Sequence, residues 1–127
     1  MPTILIADDD EHIAELIELY LEKDGIAVER AADGVAAWER IQRGGIDLAI
    51  LDIMMPGMDG LEATRRIRAN PRLRDLPVIA ITAKAMRDDQ DQCRRAGAND
   101  YMAKPIDLDR LLSLIRVWLP SLRRIGT

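Results

Sequence analysis

The feature that most constrains the fold is a strict alternation of short apolar runs with longer segments of helical periodicity. A helical segment follows each of five apolar runs, which cover residues 3–7, 26–31, 47–51, 77–82 and 101–104. Parallel strands joined by helices produce this alternation, because a crossover helix returns the chain to the start of the next strand. We therefore predict an α/β fold with five parallel strands and five helices. The three most apolar strands should be central, and the second and fifth strands should be edges.

The helical segments carry apolar residues at the spacing of one helix face, which we expect to pack on the sheet. In the first three helices the predicted buried positions are Ile13, Leu16, Ile17, Tyr20 and Leu21, then Val35, Trp38 and Ile41, then Leu61, Thr64 and Ile67. The fourth helix differs, because it has little to bury beyond Met86, Cys93 and Ala96. It should therefore be the helix that moves most easily.

Residues 1–127 are expected to form a single domain, with a core at residues 3–119, a short tail at residues 120–127 and no effector domain. The charges are interspersed and sum to −4, which argues against a nucleic-acid-binding surface. The single cysteine fits a reducing compartment, and no apolar run approaches the length of about 18 residues that a membrane span needs. We expect a soluble cytoplasmic protein that binds neither nucleic acid nor membrane.

Polar and charged residues stand where four of the strands are expected to end. They are Asp8, Asp9 and Asp10 after the first strand, Asp52 after the third, Thr82 at the end of the fourth and Lys104 at the end of the fifth. Parallel strands end at the same edge of a sheet, and ligands of doubly wound sheets bind there. Carboxylates, a hydroxyl and one ammonium match a hard divalent cation beside a bound phosphoryl group.

Each of these residues also has an ordinary structural explanation. An aspartate after the first strand could cap the first helix, and Asp52 could be a turn residue. Thr82 and Lys104 are weak indications by themselves, so the coincidence at one edge of the sheet is what favours a site. His12 and Cys93 are expected to be structural, His12 as a solvated residue near the start of a helix and Cys93 as a small packing residue.

Four motifs in chain order carry a family resemblance: IADDD at residues 6–10, DIMMPGMDG at 52–60, AITA at 80–83 and KP at 104–105. With these motifs the chain resembles the receiver domain of two-component response regulators, the CheY-like family, over residues 3–119. Within the family it looks most like DivK-type single-domain regulators and the receivers of hybrid histidine kinases. The resemblance implies a doubly wound, flavodoxin-like parallel sheet with strand order 2-1-3-4-5.

The resemblance assigns phosphoryl chemistry to three of the strand-end residues. Asp52 is implied to accept a phosphoryl group from a phosphohistidine on a partner protein. Thr82 is implied to hydrogen-bond to a phosphoryl oxygen, and Lys104 to pair with the negative charge of the phosphoryl group. Neutralising the phosphoryl oxygens in this way is what such a transfer requires. Thr82 and Tyr101 are implied to act as the switch pair that responds to phosphorylation. The Lys104–Pro105 peptide bond is implied to be cis.

The resemblance also implies a bound Mg²⁺ ion, with Mn²⁺ able to take its place. Asp9, Asp52 and the backbone carbonyl of Met54 are expected to bind the ion directly, and Asp8 through a water molecule. Met54 and Lys84 occupy positions that tune the lifetime of the phosphoryl group in the family, and neither side chain is suited to activating water. We therefore expect slow self-hydrolysis of the phosphorylated protein.

The implied function is that of a single-domain response regulator that is phosphorylated by a sensor histidine kinase or a histidine phosphotransfer protein. Such a domain is not a turnover enzyme, although it catalyses its own phosphorylation and slow dephosphorylation. Its signal is expected to leave through protein contacts on the surface formed by the fourth helix, the fifth strand and the fifth helix. The active species would be a monomer or a weak, phosphorylation-dependent dimer.

Other functions are compatible with parts of the pattern. A receiver excised from a hybrid histidine kinase would have the same features. A receiver-like module that binds partners without phosphorylation should have lost the acidic pair, Asp52 or Lys104, and none is lost. A haloacid-dehalogenase-type phosphotransferase needs a second aspartate where this chain has Met54, and a flavin-binding flavodoxin-like protein needs a Ser/Thr-rich loop where this chain has three aspartates.

Overall fold

The computed structural model describes residues 2–83 and 87–119, and within those ranges five strands alternate with five helices. In chain order they are β1 (Thr3–Ala7), α1 (Glu11–Glu22), β2 (Ala27–Ala31), α2 (Gly34–Gln42), β3 (Leu48–Asp52), α3 (Gly60–Ala69), β4 (Val78–Thr82), α4 (Arg87–Ala96), β5 (Asp100–Ala103) and α5 (Leu108–Trp118). The strands form one parallel sheet in the order β2-β1-β3-β4-β5. This order confirms the predicted fold and places the second and fifth strands at the edges.

The two faces of the sheet bury two separate aliphatic cores, because alternate residues of a strand point to opposite faces. The core beneath α1 and α5 includes Ile6, Ile50 and Ile79, and the core beneath α2 and α3 includes Leu5 and Leu51. Every residue of β3 and β4 is buried, as expected for central strands that are covered on both faces. In the described part of the chain, no helix has both the length and the apolar character needed to cross a bilayer.

Two of the predicted buried positions are wrong. Leu16 in α1 and Val35 in α2 are each 45% exposed, whereas Ala14 and Ala37 are buried. Successive residues of an α-helix are about 100° apart around its axis. Leu16 therefore lies outside the buried face of α1, although its neighbour Ile17 lies at the centre of that face. The other predicted positions in the first three helices are buried or partly buried, namely Ile13, Ile17, Tyr20, Leu21, Trp38, Ile41, Leu61, Thr64 and Ile67.

Helix α4 has few apolar contacts with the rest of the domain, as predicted. Within residues 87–96 its buried side chains are Cys93 and Ala96, and Met86 lies outside the described residues. Burial raises the pKa of the Cys93 thiol, so this residue serves as a small apolar packing group. The helix ends at Gly97, whose φ of +103° lies in a region that favours glycine.

The C-terminal end of α4 is fastened to α3 by the guanidinium group of Arg68. Its Nε atom donates to the carbonyl of Gly97 at 2.8 Å, and one terminal nitrogen donates to the side-chain oxygen of Asn99 at 2.7 Å. The other terminal nitrogen donates to the carbonyls of Arg74 at 3.0 Å and Leu76 at 2.7 Å. Arg68 therefore connects α3, the segment before β4 and the segment between α4 and β5.

We expect Arg68→Met to lower the free energy of unfolding by about 2–4 kcal/mol, because two half-buried carbonyl oxygens and two exposed oxygens lose a charged donor. Urea denaturation would measure the change. Arg66→Met is the matched control on the same helix, since Arg66 is exposed and pairs with Glu62 at the surface. The control should cost less than about 1 kcal/mol. Equal effects of the two substitutions would contradict the anchoring role of Arg68.

Candidate functional site

Two buried carboxylates lie side by side where β1 and β3 end. Ala7 of β1 pairs with Leu51 of β3, so the next residues, Asp8 and Asp52, reach the same edge of the sheet. Each of the two aspartates is only 2% exposed. The buried strand β3 acts as a rigid support for the carboxylate of Asp52, which explains why so apolar a segment ends in an acidic residue.

The ammonium group of Lys104 approaches both carboxylates. Its Nζ atom donates a hydrogen bond to Oδ2 of Asp52 at 2.9 Å and lies 3.4 Å from Oδ2 of Asp8. Burial by itself would lower the pKa of Lys104, but the hydrogen bond and charge of Asp52, together with Asp8, outweigh burial and raise the pKa. The backbone N–H of Lys104 donates to the carbonyl of Thr82 at 2.8 Å, and the peptide bond from Lys104 to Pro105 is cis.

One carboxylate oxygen of Asp8 is left without a hydrogen bond by the described part of the chain. Oδ1 accepts from the backbone N–H of Asp10 at 2.8 Å, whereas the buried Oδ2 has the charge of Lys104 nearby but no hydrogen-bond partner among residues 2–83 and 87–119. Burial and the charge of Asp52 raise the pKa of Asp8, although the Asp10 amide and Lys104 act in the opposite direction. Lys104 offsets only part of the cost of burying this carboxylate, because the pKa of Asp8 is still raised, so a further cation or donor would stabilise it.

Asp8, Asp9 and Asp52 form an acidic cluster with the dimensions of a metal site. One carboxylate oxygen from each residue lies within 4.8 Å of the others, and Asp9 is exposed while the other two are buried. Hard divalent cations such as Mg²⁺ prefer carboxylate oxygens as ligands. The donor set and the unsatisfied oxygen of Asp8 both fit such an ion, and the exposed Asp9 leaves the cluster open to solvent on one side.

The loop after β3 is held against the Asp52 carboxylate and against two helices. The backbone N–H of Met54 donates to Oδ1 of Asp52 at 2.9 Å. A Cβ at Gly60, the first residue of α3, would lie 2.4 Å from the carbonyl oxygen of Asp52, and a Cβ at Gly34, the first residue of α2, would lie 1.5 Å from that of Met58. Only glycine permits these close backbone approaches. The side chain of Met54, by contrast, is 69% exposed.

Gly34 was not singled out by the sequence pattern. The sequence does contain a signal for it, because an Asp–Gly pair stands immediately before the apolar positions of the second helix. In the structure, Asp33 accepts a hydrogen bond from the amide of Ala36 and caps α2. Glycine is a poor helix former, so a glycine directly after a capping residue indicates a requirement for close packing. That requirement is the contact with the loop after β3.

Thr82 and Tyr101 occupy successive strands on one side of Asp52. Thr82 is buried at the end of β4, the strand that pairs with β3. Tyr101 is half-buried in β5 and packs on a cluster that includes Cys93 and Ala96 of α4. Lys84, the second residue expected to tune the lifetime of the phosphoryl group, lies outside the described residues.

The three consecutive aspartates after β1 have different environments. Asp8 is buried and Asp9 is exposed beside it, whereas Oδ1 of Asp10 accepts hydrogen bonds from the amides of His12 at 3.0 Å and Ile13 at 3.3 Å. Asp10 therefore caps α1, and the structural explanation is correct for this member of the triplet. His12 is exposed, as predicted.

Comparison with known sequences agrees with this geometry. The sequence model of the family described as "Response regulator receiver domain" matches residues 4–116. The chain is 38% identical over 125 residues to the DNA-binding dual master transcriptional regulator RpaA of Synechocystis sp., a match that covers 98% of this chain and 52% of RpaA. This chain thus spans about half the length of the curated relatives it matches.

Solved structures show the same relationship. A putative response regulator from Chloroflexus aurantiacus superimposes with a TM-score of 0.88 at 37% identity, covering 93% of this chain and 98% of that one. The receiver domain of the sensor histidine kinase PA1611 from Pseudomonas aeruginosa, which has a magnesium ion coordinated in its active site cleft, gives a TM-score of 0.85 at 36% identity and covers 99% and 98% of the two chains. The present chain therefore belongs to the family of response regulator receiver domains, the signal-receiving modules of two-component systems.

Proposed function

We propose that Asp52 accepts a phosphoryl group from a phosphohistidine of a histidine kinase or a histidine phosphotransfer protein. The observation that carries this proposal is the buried Asp52 carboxylate, which β3 supports and which lies 2.9 Å from Nζ of Lys104. In the transfer, a carboxylate oxygen of Asp52 forms a bond to phosphorus while the phosphorus–nitrogen bond breaks and the imidazole leaves. The domain would thus act as a phosphoacceptor that assists its own phosphorylation, and not as a turnover enzyme.

The neighbouring side chains would neutralise and orient the transferred group. Lys104 would pair with the charge on the phosphoryl oxygens, and Thr82, at the end of the adjacent strand, would donate its hydroxyl to one of them. Because β3 and β4 hold Asp52 and Thr82, and Lys104 directly follows β5, the transfer would need little rearrangement of the protein. A receiver-like module that binds its partners without phosphorylation is not favoured, because Asp8, Asp52 and Lys104 are all present and in contact.

The proposed site includes Mg²⁺, with Mn²⁺ able to replace it. Asp9 and Asp52 would bind the ion through their carboxylates, Met54 through its backbone carbonyl, and Asp8 through a water molecule. When bound, the ion supplies Lewis-acid stabilisation of charge on the phosphoryl oxygens. The acidic cluster and the unsatisfied Oδ2 of Asp8 support this assignment, as does the magnesium ion in the cleft of the PA1611 receiver.

The proposed signal leaves through the face formed by α4, β5 and α5. Thr82 lies on the strand beside Asp52, and Tyr101 on the next strand packs against the buried residues of α4. A phosphoryl group that drew Thr82 toward Asp52 would change the packing between β4, β5 and α4. Arg68 holds the C-terminal end of α4, so we infer that the movement is largest toward the N-terminal end of this helix.

The proposed phosphorylated state is long-lived. Hydrolysis needs a water molecule placed in line behind phosphorus, and a polar side chain beside the acceptor can orient it. Met54 stands two residues after Asp52 and offers only a thioether, a weak acceptor. Lys84, two residues after Thr82 in the sequence, carries a cationic side chain that is poorly suited to activating water. A slow decay gives a partner protein time to read the signal or to receive the phosphoryl group.

Residues 3–119 would act as one receiver unit and as a single-domain regulator. This unit would contact other proteins as a monomer or as a weak, phosphorylation-dependent dimer. RpaA is named as a DNA-binding protein and is about twice as long, so its DNA binding is not carried over to this unit. In a longer polypeptide, such as a hybrid kinase, phosphorylation of Asp52 would be unchanged. The partner of the face formed by α4, β5 and α5 would then be another segment of the same polypeptide.

Acetyl phosphate with Mg²⁺ should add one phosphoryl group to the protein, on Asp52, because this carboxylate is paired with Lys104 at the edge of the sheet. Intact-mass spectrometry should show the adduct in the wild type and none in Asp52→Asn. Asp88→Asn, which removes an exposed aspartate from α4, is the matched control and should be labelled as the wild type is. An adduct that persists in Asp52→Asn would place the acceptor elsewhere.

Magnesium should raise the melting temperature. At a hundredfold excess over Kd, ligand binding adds about 2.7 kcal/mol, or roughly 10 °C for a domain of this size. In a chelating buffer at neutral pH, Asp8→Asn should melt above the wild type, because the raised pKa of Asp8 means that its charged form is unfavourable in the folded protein.

Differential scanning calorimetry across a magnesium titration would test both expectations. Asp8→Asn should lose most of the magnesium-dependent rise, whereas Asp88→Asn should respond as the wild type does. A wild-type melting temperature that does not change with magnesium concentration would contradict a shared acidic pocket.

Binding of beryllium fluoride with Mg²⁺, a mimic of the phosphoryl group, should change amide hydrogen exchange most between residues 87 and 103. The reason is that α4 has few apolar anchors and Tyr101 packs against it. Exchange monitored by mass spectrometry should show no such change in Lys104→Met, which lacks the cation that pairs with the ligand. Changes confined to α2 and α3 would contradict the proposed output face.

A further inference from the structure

The backbone of Met54 is held at the proposed phosphorylation site, whereas its side chain is exposed. Its backbone N–H is hydrogen-bonded to Oδ1 of Asp52 at 2.9 Å, so the start of its side chain is fixed at the site. Its side chain is 69% exposed, whereas Met55 and Met102 are 8% and 5% exposed. Met54 is therefore held beside the proposed phosphoacceptor by its backbone and is largely exposed to solvent.

An exposed thioether is a target for peroxides. The sulfur attacks one oxygen of hydrogen peroxide, a sulfur–oxygen bond forms as the oxygen–oxygen bond breaks, and water leaves with the remaining oxygen and both protons. Sulfur is oxidised by two electrons and the peroxide is reduced. The buried sulfur atoms of Met55 and Met102 are shielded from this reaction by the surrounding packing.

We propose that Met54 is a redox-sensitive site at which oxidation to the sulfoxide shortens the lifetime of the phosphorylated receiver. This inference rests on the proposed phosphorylation of Asp52. The thioether is a weak hydrogen-bond acceptor, whereas the sulfoxide oxygen is a strong one on a side chain with three rotatable bonds. A strong acceptor at this position can hold a water molecule near phosphorus, which the unmodified side chain does poorly.

Oxidation should therefore accelerate loss of the phosphoryl group about fivefold, which is the change in rate that corresponds to the net free energy of one ordinary hydrogen bond. Because sulfoxide reductases restore the thioether, the change is reversible. A peroxide signal would then shorten the phosphorylation response without altering the fold, since the exposed side chain of Met54 contributes little to the core.

The test compares the decay of the phosphoryl adduct in the reduced and the peroxide-treated wild type, each labelled with acetyl phosphate and Mg²⁺ and followed by intact-mass spectrometry. Peptide mapping should find sulfoxide at Met54 in preference to Met55 and Met102. The oxidised protein should lose its adduct about fivefold faster, and sulfoxide reductase with a thiol should restore the slower decay.

Three variants identify the residue responsible. Met54→Leu, whatever its own decay rate, should not respond to peroxide. Met58→Leu, which removes a half-buried methionine from the same loop, should still respond. Met54→Gln, whose amide oxygen mimics the sulfoxide, should decay rapidly without peroxide.

The possible failures are distinguishable. Equal decay of the oxidised and reduced wild type, or equal acceleration in Met54→Leu, would overturn the inference while leaving phosphorylation intact. Absence of sulfoxide at Met54 in the map would overturn it as well. Absence of any adduct on Asp52 in the reduced protein would refute the proposed function, and the inference with it.

Discussion

The whole site depends on the contact between the Lys104 ammonium and two buried carboxylates. Two unit charges about 4 Å apart repel by roughly 4 kcal/mol at an effective dielectric near 20, so Asp8 and Asp52 could not share this edge of the sheet at low cost without a cation. The register of β1 and β3 makes the two aspartates neighbours, and β5 delivers the lysine. One ammonium does not balance two buried carboxylates and the adjacent Asp9. The cluster therefore keeps a net negative charge, which would favour the binding of a divalent cation.

Much of this arrangement could be predicted from the sequence, because strand ends in a parallel sheet are neighbours whatever their separation in the chain. This rule predicts that Asp8, Asp52 and Lys104 lie close together, and they do in the folded chain. The exposure of Leu16 could not be predicted, since helical spacing alone does not define the width of the buried stripe. The role of Arg68 could not be predicted either. Five arginines lie between residues 65 and 74, and only the folded chain shows which one reaches backbone carbonyls in two other segments.

The anchoring of α4 illustrates how a polar helix can be held with little apolar burial. Among the described residues, its C-terminal end is secured by the packing of Cys93 and Ala96 and by hydrogen bonds from Arg68 to Gly97 and to Asn99. Asn99 also accepts a hydrogen bond from the backbone of β4. Hydrogen bonds at one end fix position but bury little surface along the helix. Displacing the remainder of α4 therefore costs less than displacing an amphipathic helix such as α5. The element with the weakest packing lies beside the strand that carries Tyr101.

A ligand can shift a conformational equilibrium only by as much as its affinities for the two conformations differ. The unsatisfied oxygen of Asp8 and its raised pKa indicate that the site without ligands is electrostatically unfavourable. Binding of a cation and transfer of a phosphoryl group would relieve that state, and we propose that the free energy released would displace the weakly packed α4. We expect β3 and β4 to be displaced less than α4, because every residue of these two strands is buried. Under the proposed function, α4 is therefore the element that we expect phosphorylation to displace most.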